Sequence, residues 1–125
     1  MIGIDTNVLI RYYVDDNPKQ HRKAKSFIDS NDIFISSLVL AETYWILSKL
    51  YKTPSEEIEQ VFTHIKRSSN MHLEDVTVFS RSVAAWKNTN YDFSDALIDN
   101  IHKVRGLNTA TFDIAASKKL EMLLL

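Results

Sequence analysis

Ile2-Gly3-Ile4-Asp5-Thr6-Asn7-Val8-Leu9-Ile10 opens the chain with a short apolar run of β type, then an acid, then a run that reads as helix. Asp5 therefore stands where a first strand ends and a helix begins. The arrangement returns near the other end, where Thr109-Ala110-Thr111-Phe112 is strand-like, Asp113 follows, and Ile114-Ala-Ala-Ser-Lys-Lys-Leu120 reads as helix. Each acid has a plain use: accepting a backbone N–H as a helix N-cap, worth about 1 kcal/mol. If both runs are parallel strands of one sheet, however, both carboxylates emerge at its C-terminal edge, where open α/β sheets bind their ligands.

Further β-type runs at Ile33–Ile35 and Glu74–Val78, with longer helical patterns between, extend the alternation. It predicts an α/β fold: a central parallel sheet of about four or five strands flanked by helices on both faces. Asn17 before Pro18, with Gln20 three residues after the cap, and Thr53 before Pro54, with Glu56 likewise placed, resemble capping boxes with proline at the first helical position. They predict helices over 18–29 and 54–67. Two more begin after Ser36 or Ser37 and after Asp92 or Ser94, the second ending at Gly106, which suits the left-handed position past a helix. With two glycines, two prolines and no repeat or linker-like stretch, one domain over residues 1–125 is expected.

Composition narrows the chemistry. The chain is 45% hydrophobic and 25% charged, as ordinary globular domains are. It has no cysteine, which excludes disulfides and thiolate metal sites and makes a reducing cytoplasm the expected compartment. Asp5 interrupts the first apolar run and no basic stretch precedes it, so no signal peptide is expected, and no run approaches the roughly 20 apolar residues of a membrane span. A net charge of −1 gives no global attraction to a polyanion, which would need a local basic patch or a bound cation.

Two acids stand out beyond the strand ends. Glu42 lies in the apolar helical segment Leu38–Leu47, with Leu38, Val39, Trp45 and Ile46 as its helical neighbours. A carboxylate on a buried stripe is costly unless paired with a cation or bound to metal, so a buried salt bridge or a metal site is expected. In Asp92-Phe-Ser-Asp95-Ala-Leu-Ile-Asp99, acids crowd the first turns of a helix, where its dipole favours them. One cap suffices, and Asp92 fits it. Asp95 is the acid best placed to face a site, Asp99 is auxiliary or simply solvated, and His102 supports a neighbour rather than binding metal.

Ile4-Asp5-Thr6-Asn7-Val8-Leu9, Ser36-Ser37 with Ala41-Glu42, Asp92-Phe-Ser-Asp95-Ala-Leu-Ile98 and Thr111-Phe-Asp113, in this order and across nearly the whole chain, resemble the PIN-domain family, in particular the small toxin ribonucleases of the VapC type. The resemblance implies that Asp5, Glu42, Asp95 and Asp113 form one acidic, catalytic pocket, with Thr6, Asn7 and Thr111 as polar support and Asp92 and Asp99 nearby. It also implies a type II toxin–antitoxin pair, products with a 5′-phosphate and a 3′-hydroxyl, and a homodimer. The aromatic residues Tyr44, Trp45, Tyr51 and Trp86, more than one helix face can bury, point to a dimer as well.

Two carboxylates about 5 Å apart repel by roughly 3 kcal/mol at an effective dielectric near 20, so four ionised acids need a cation or protonation. All-oxygen ligands select Mg²⁺, with Mn²⁺ able to substitute. Such an ion would activate water, align an RNA phosphodiester and neutralise the leaving oxygen. Arg11, Arg22, Lys23 and Lys25 are candidates for attracting the RNA. A cognate antitoxin would fill the pocket region, an Arg or Lys reaching the carboxylates. A haloacid-dehalogenase-type phosphatase requires a second acid where Asn7 stands, and a receiver domain requires paired acids near the first strand, so neither pattern fits. The alternatives are a non-catalytic PIN-like module that binds RNA or protein, and an RNA-processing nuclease that is not a toxin.

Overall fold

The computed structural model describes all residues, 1–125, in two compact units, Met1–Glu74 and Asp75–Leu125. In the first unit, β1 (Ile2–Gly3), β2 (Ile33–Ile35) and β3 (Met71–Leu73) form one sheet in that order, both pairings parallel. β2 is central, with Ile33 and Ile35 fully buried. Four helices connect the strands: α1 (Thr6–Tyr13), α2 (Pro18–Asp29), α3 (Ser37–Trp45) and α4 (Ser55–Arg67), α3 running on into a π-helical segment, Ile46–Leu50. Leu9, Ile28, Leu40, Leu47, Ile58, Phe62 and Ile65 fill this core, each contributing about 1.5–3 kcal/mol on burial.

The second unit holds α5 (Val76–Thr89), α6 (Phe93–Lys103), β4 (Ala110–Thr111), α7 (Ile114–Lys119) and β5 (Leu123–Leu124), the strands forming a parallel pair. Its core is aromatic: Phe93 is fully buried with Phe79 and Trp86 edge-on to it, ring centroids 6.2 and 6.3 Å away. Asp99, only 3% exposed, receives Lys103 Nζ at 2.6 Å and the Thr109 hydroxyl at 2.8 Å. The same lysine donates to the Leu120 carbonyl at 2.6 Å, so a buried charge satisfied on both oxygens ties α6 to the segments around β4 and β5.

The α/β class and the parallel pairing agree with the sequence reading. The strands number five, within the expected four or five, and pair as ladders of three and two; β5 had no sequence signal of its own. The strand expected at Glu74–Val78 is instead β3, ending at Leu73, because the Asp75 side chain accepts the Val78 N–H at 2.9 Å and starts α5. The Asn17 cap and the 18–29 helix form as read, Asn17 Oδ1 accepting from the Gln20 N–H at 3.1 Å. Thr53 does not cap α4, since Pro54 takes that place without a side-chain bond. Gly106 adopts φ 74°, as its position required. Trp86 is buried in the second unit's core, whereas Trp45 and Tyr51 are exposed.

Candidate active site

The acidic residues fall into two groups. In the first unit, the C-terminal ends of the three strands deliver Asp5 after β1, Ser36 after β2 and Glu74 after β3. Asp5 caps α1, Oδ1 accepting from the Val8 N–H at 3.0 Å. The next residue, Thr6, donates its hydroxyl to Glu42 Oε1 at 2.8 Å, which links the start of α1 to α3. Ser36 caps α3 through the Val39 N–H, and Glu74 Oε1 accepts the Ser37 N–H at 2.9 Å. Glu74 was missed in the sequence because it was read as the first residue of a strand, not as the residue that follows one.

Glu42 is exposed, and so are its helical neighbours Leu38 and Trp45, the latter at 51%. The buried stripe of α3 is Val39, Leu40 and Thr43. The expected buried setting for Glu42 is therefore wrong, and no salt bridge is needed to hold it; the Thr6 hydroxyl orients it instead. Asn7, also exposed, lines with Asp5 a groove of about 670 Å³.

The second group gathers Asp92, Asp95 and Asp113. Asp92 caps α6 as read, accepting from the Ser94 and Asp95 N–H groups at 2.8 and 3.1 Å. Asp95, in the first turn, caps nothing. Burial first, then the charges of Asp92 and Asp113, push its carboxyl above the usual range. Asp113 caps α7, Oδ1 accepting from the Ala116 N–H at 3.0 Å, while its own N–H donates to the Thr111 hydroxyl at 3.0 Å. Its other oxygen, Oδ2, accepts the Tyr91 hydroxyl at 2.5 Å. That bond, followed by the Ala116 N–H, holds Asp113 below the usual carboxylate range. In return Asp113 raises the Tyr91 phenol to about 12, helped by burial and by Asp95 and Asp92. Sequence reasoning missed Tyr91, whose partner lies 22 residues on.

Asp99 is not solvated: it belongs to the buried Lys103–Thr109 network, where the Thr109 hydroxyl also meets His102 Nδ1 at 2.8 Å. His102 thus supports a neighbour, as its spacing suggested. No three His, Asp or Glu side chains within either unit form a metal-holding group by themselves. The donor chemistry is nevertheless that of hard cations, carboxylate oxygens without a thiolate or an imidazole cluster.

The PIN domain family model matches residues 2–119. The chain belongs to the PIN domain family. PIN domains are generally nucleases and generally work with divalent metal ions. No curated protein matches this PIN domain. Among solved structures, FitAcB from Neisseria gonorrhoeae is similar at 17% identity and a TM-score of 0.37, over 100% of this chain and 96% of that one. Membership rests on the family match alone.

Proposed function

We propose that this PIN domain is a metal-dependent endoribonuclease that hydrolyses RNA phosphodiester bonds, and that it is the toxin of a VapC-type toxin–antitoxin pair. The proposed catalytic and metal-binding acids are Asp5, Glu42, Asp95 and Asp113. The observation that carries the reading is the grouping of Asp92, Asp95 and Asp113: burial first, then the charges of Asp92 and Asp113, raise the Asp95 carboxyl, and a cation would relieve that repulsion. Helix capping takes Oδ1 of Asp5 and of Asp113; Oδ2 of Asp113 accepts the Tyr91 hydroxyl, which orients it, and keeps a further lone pair for a cation.

Carboxylates of this proposed set would hold Mg²⁺ or Mn²⁺, which when bound supplies an activated water and charge neutralisation on the phosphate. The chain's own residues set the ligands in place: Thr6 fixes Glu42, Tyr91 and Thr111 fix Asp113, and Asp92 fixes the helix that carries Asp95. The proposed products carry a 5′-phosphate and a 3′-hydroxyl. The proposed partners are RNA, a cognate antitoxin that places an Arg or Lys on the carboxylates, and a second copy of this chain. No helix is long and apolar enough to cross a membrane, which fits the proposed cytoplasmic setting.

The test is cleavage of structured RNA with Mg²⁺, Mn²⁺, Ca²⁺ or EDTA. Cleavage is expected with the first two ions and none in EDTA, and Asp95→Asn should lower it by orders of magnitude. Full activity in EDTA, or a fully active Asp95→Asn, would overturn the reading.

A further inference from the structure

We propose that the exposed face of α2 is the track along which the RNA backbone lies on its way to Asp5, an inference that rests on the ribonuclease reading. Lys19, Arg22, Lys23, Ser26 and Phe27 recur at i, i+3, i+4, i+7 and i+8, the spacing of one helical stripe, opposite the buried Ala24 and Ile28. At 1.5 Å per residue that stripe runs about 12 Å along the helix.

Not every cation near it is free to meet a phosphate. Arg11 is paired with Asp16 at 2.5 Å and also bonds Gln20 and Tyr51. Lys25 is paired with Asp29 at 3.1 Å and lies over the Tyr12 ring. Lys19, Arg22 and Lys23 have no acidic partner, and the three share the stripe. The sequence-level set of Arg11, Arg22, Lys23 and Lys25 is thereby sorted into two neutralised cations and two unneutralised ones, with Lys19 added.

The stripe lines a shallow groove of about 490 Å³, and two of its members, Lys23 and Phe27, also line the 670 Å³ groove that contains Asp5 and Asn7. The two grooves therefore meet along α2, and one end is a proposed metal-binding carboxylate. A polyanion gains from three unneutralised cations. Phe27, 39% exposed, is flanked by them and offers a ring on which a base can stack. An acidic protein segment would meet the same cations, but it would gain nothing from a groove that leads onto another carboxylate, whereas a phosphodiester must reach it to be cut.

The test is binding of a labelled single-stranded RNA, kept intact in EDTA, followed by fluorescence anisotropy across a salt series. Lys19→Gln/Arg22→Gln/Lys23→Gln keeps helix-favouring residues on an exposed face, and circular dichroism checks its fold. This variant should bind at least tenfold more weakly at low salt. Its plot of log affinity against log salt should be shallower by about 2, at roughly 0.7 for each phosphate that is no longer neutralised. In Mg²⁺ its KM should rise while kcat holds. Phe27→Leu should weaken binding several-fold at an unchanged slope, and Lys66→Gln on α4 should change neither. Unaltered affinity and slope in the triple variant would overturn the track, as would loss of binding to a co-expressed acidic protein partner alone. A wild type that binds RNA through these residues yet cuts nothing would sink the nuclease reading and leave the track standing. A wild type that cuts RNA, with a triple variant that binds as well as it does, would sink the track alone.

Discussion

A carboxylate has two oxygens, and capping a helix occupies one of them. Asp5 can therefore start a helix with its second oxygen unused by the cap, and Asp113 starts one while its second oxygen takes the Tyr91 hydroxyl, whereas Asp95 caps nothing, is partly buried and bears the charges of its neighbours. The two acids of the second unit should consequently respond in opposite ways to neutralisation in EDTA. The Asp95 carboxyl is raised in the folded state, so its ionisation costs stability as pH rises through that raised value. Asp95→Asn should melt higher than wild type at neutral pH, the gain shrinking as pH falls through the carboxylate range. Asp113 is lowered, so its contribution is present at neutral pH and lost in acid; Asp113→Asn should melt lower at neutral pH and converge with wild type at low pH. Thermal melts of the three proteins from pH 3 to pH 8 read both trends, and a destabilised Asp95→Asn at neutral pH would contradict the crowding. At this scale the sequence made the helix-starting acids Asp5, Asp92 and Asp113 legible, because their type and their place after a strand-like run or before a helix were visible in it. It misjudged the setting of Glu42, because an apolar helical segment need not bury every face: Leu38 and Trp45 are exposed beside it.

Helix starts were legible at Asn17, Ser36 and Asp92, where a capping side chain carried the signal, but not at Asp75, whose cap lay inside a β-branched run. Strands of two or three residues carry no periodicity to read, so β5 went unseen and β3 was displaced toward the β-branched Val76 and Val78. Asp75 decides that boundary by capping α5 through the Val78 N–H. Asp75→Ala should lower unfolding stability by about 1 kcal/mol, read as a lower denaturant midpoint at an unchanged slope. An unchanged midpoint would mean that packing of Phe79 and Trp86, not the cap, sets where α5 starts.

The unity of the whole chain is itself a proposal, since its residues cluster into two units. A single PIN domain should unfold in one cooperative transition, coincident by tryptophan fluorescence and by far-ultraviolet circular dichroism, with Trp45 and Trp86 reporting one unit each. Two separated transitions would count against it. Added Mg²⁺ should raise the melting temperature of the wild type more than that of Asp95→Asn, by mass action on the folded state. Leu38, Trp45 and Leu50, exposed along α3 and the π-helical segment, offer apolar surface for the proposed dimer, and a monomer by light scattering at micromolar concentration would remove it. The division between Glu74 and Asp75 has a practical side. Each half of the chain carries two of the four proposed ligands, so a chain severed there would be a two-key lock. Neither fragment, with only two of the proposed ligands, should cut RNA alone, which makes the boundary a natural place to insert a protease site and build a ribonuclease that a single cut switches off.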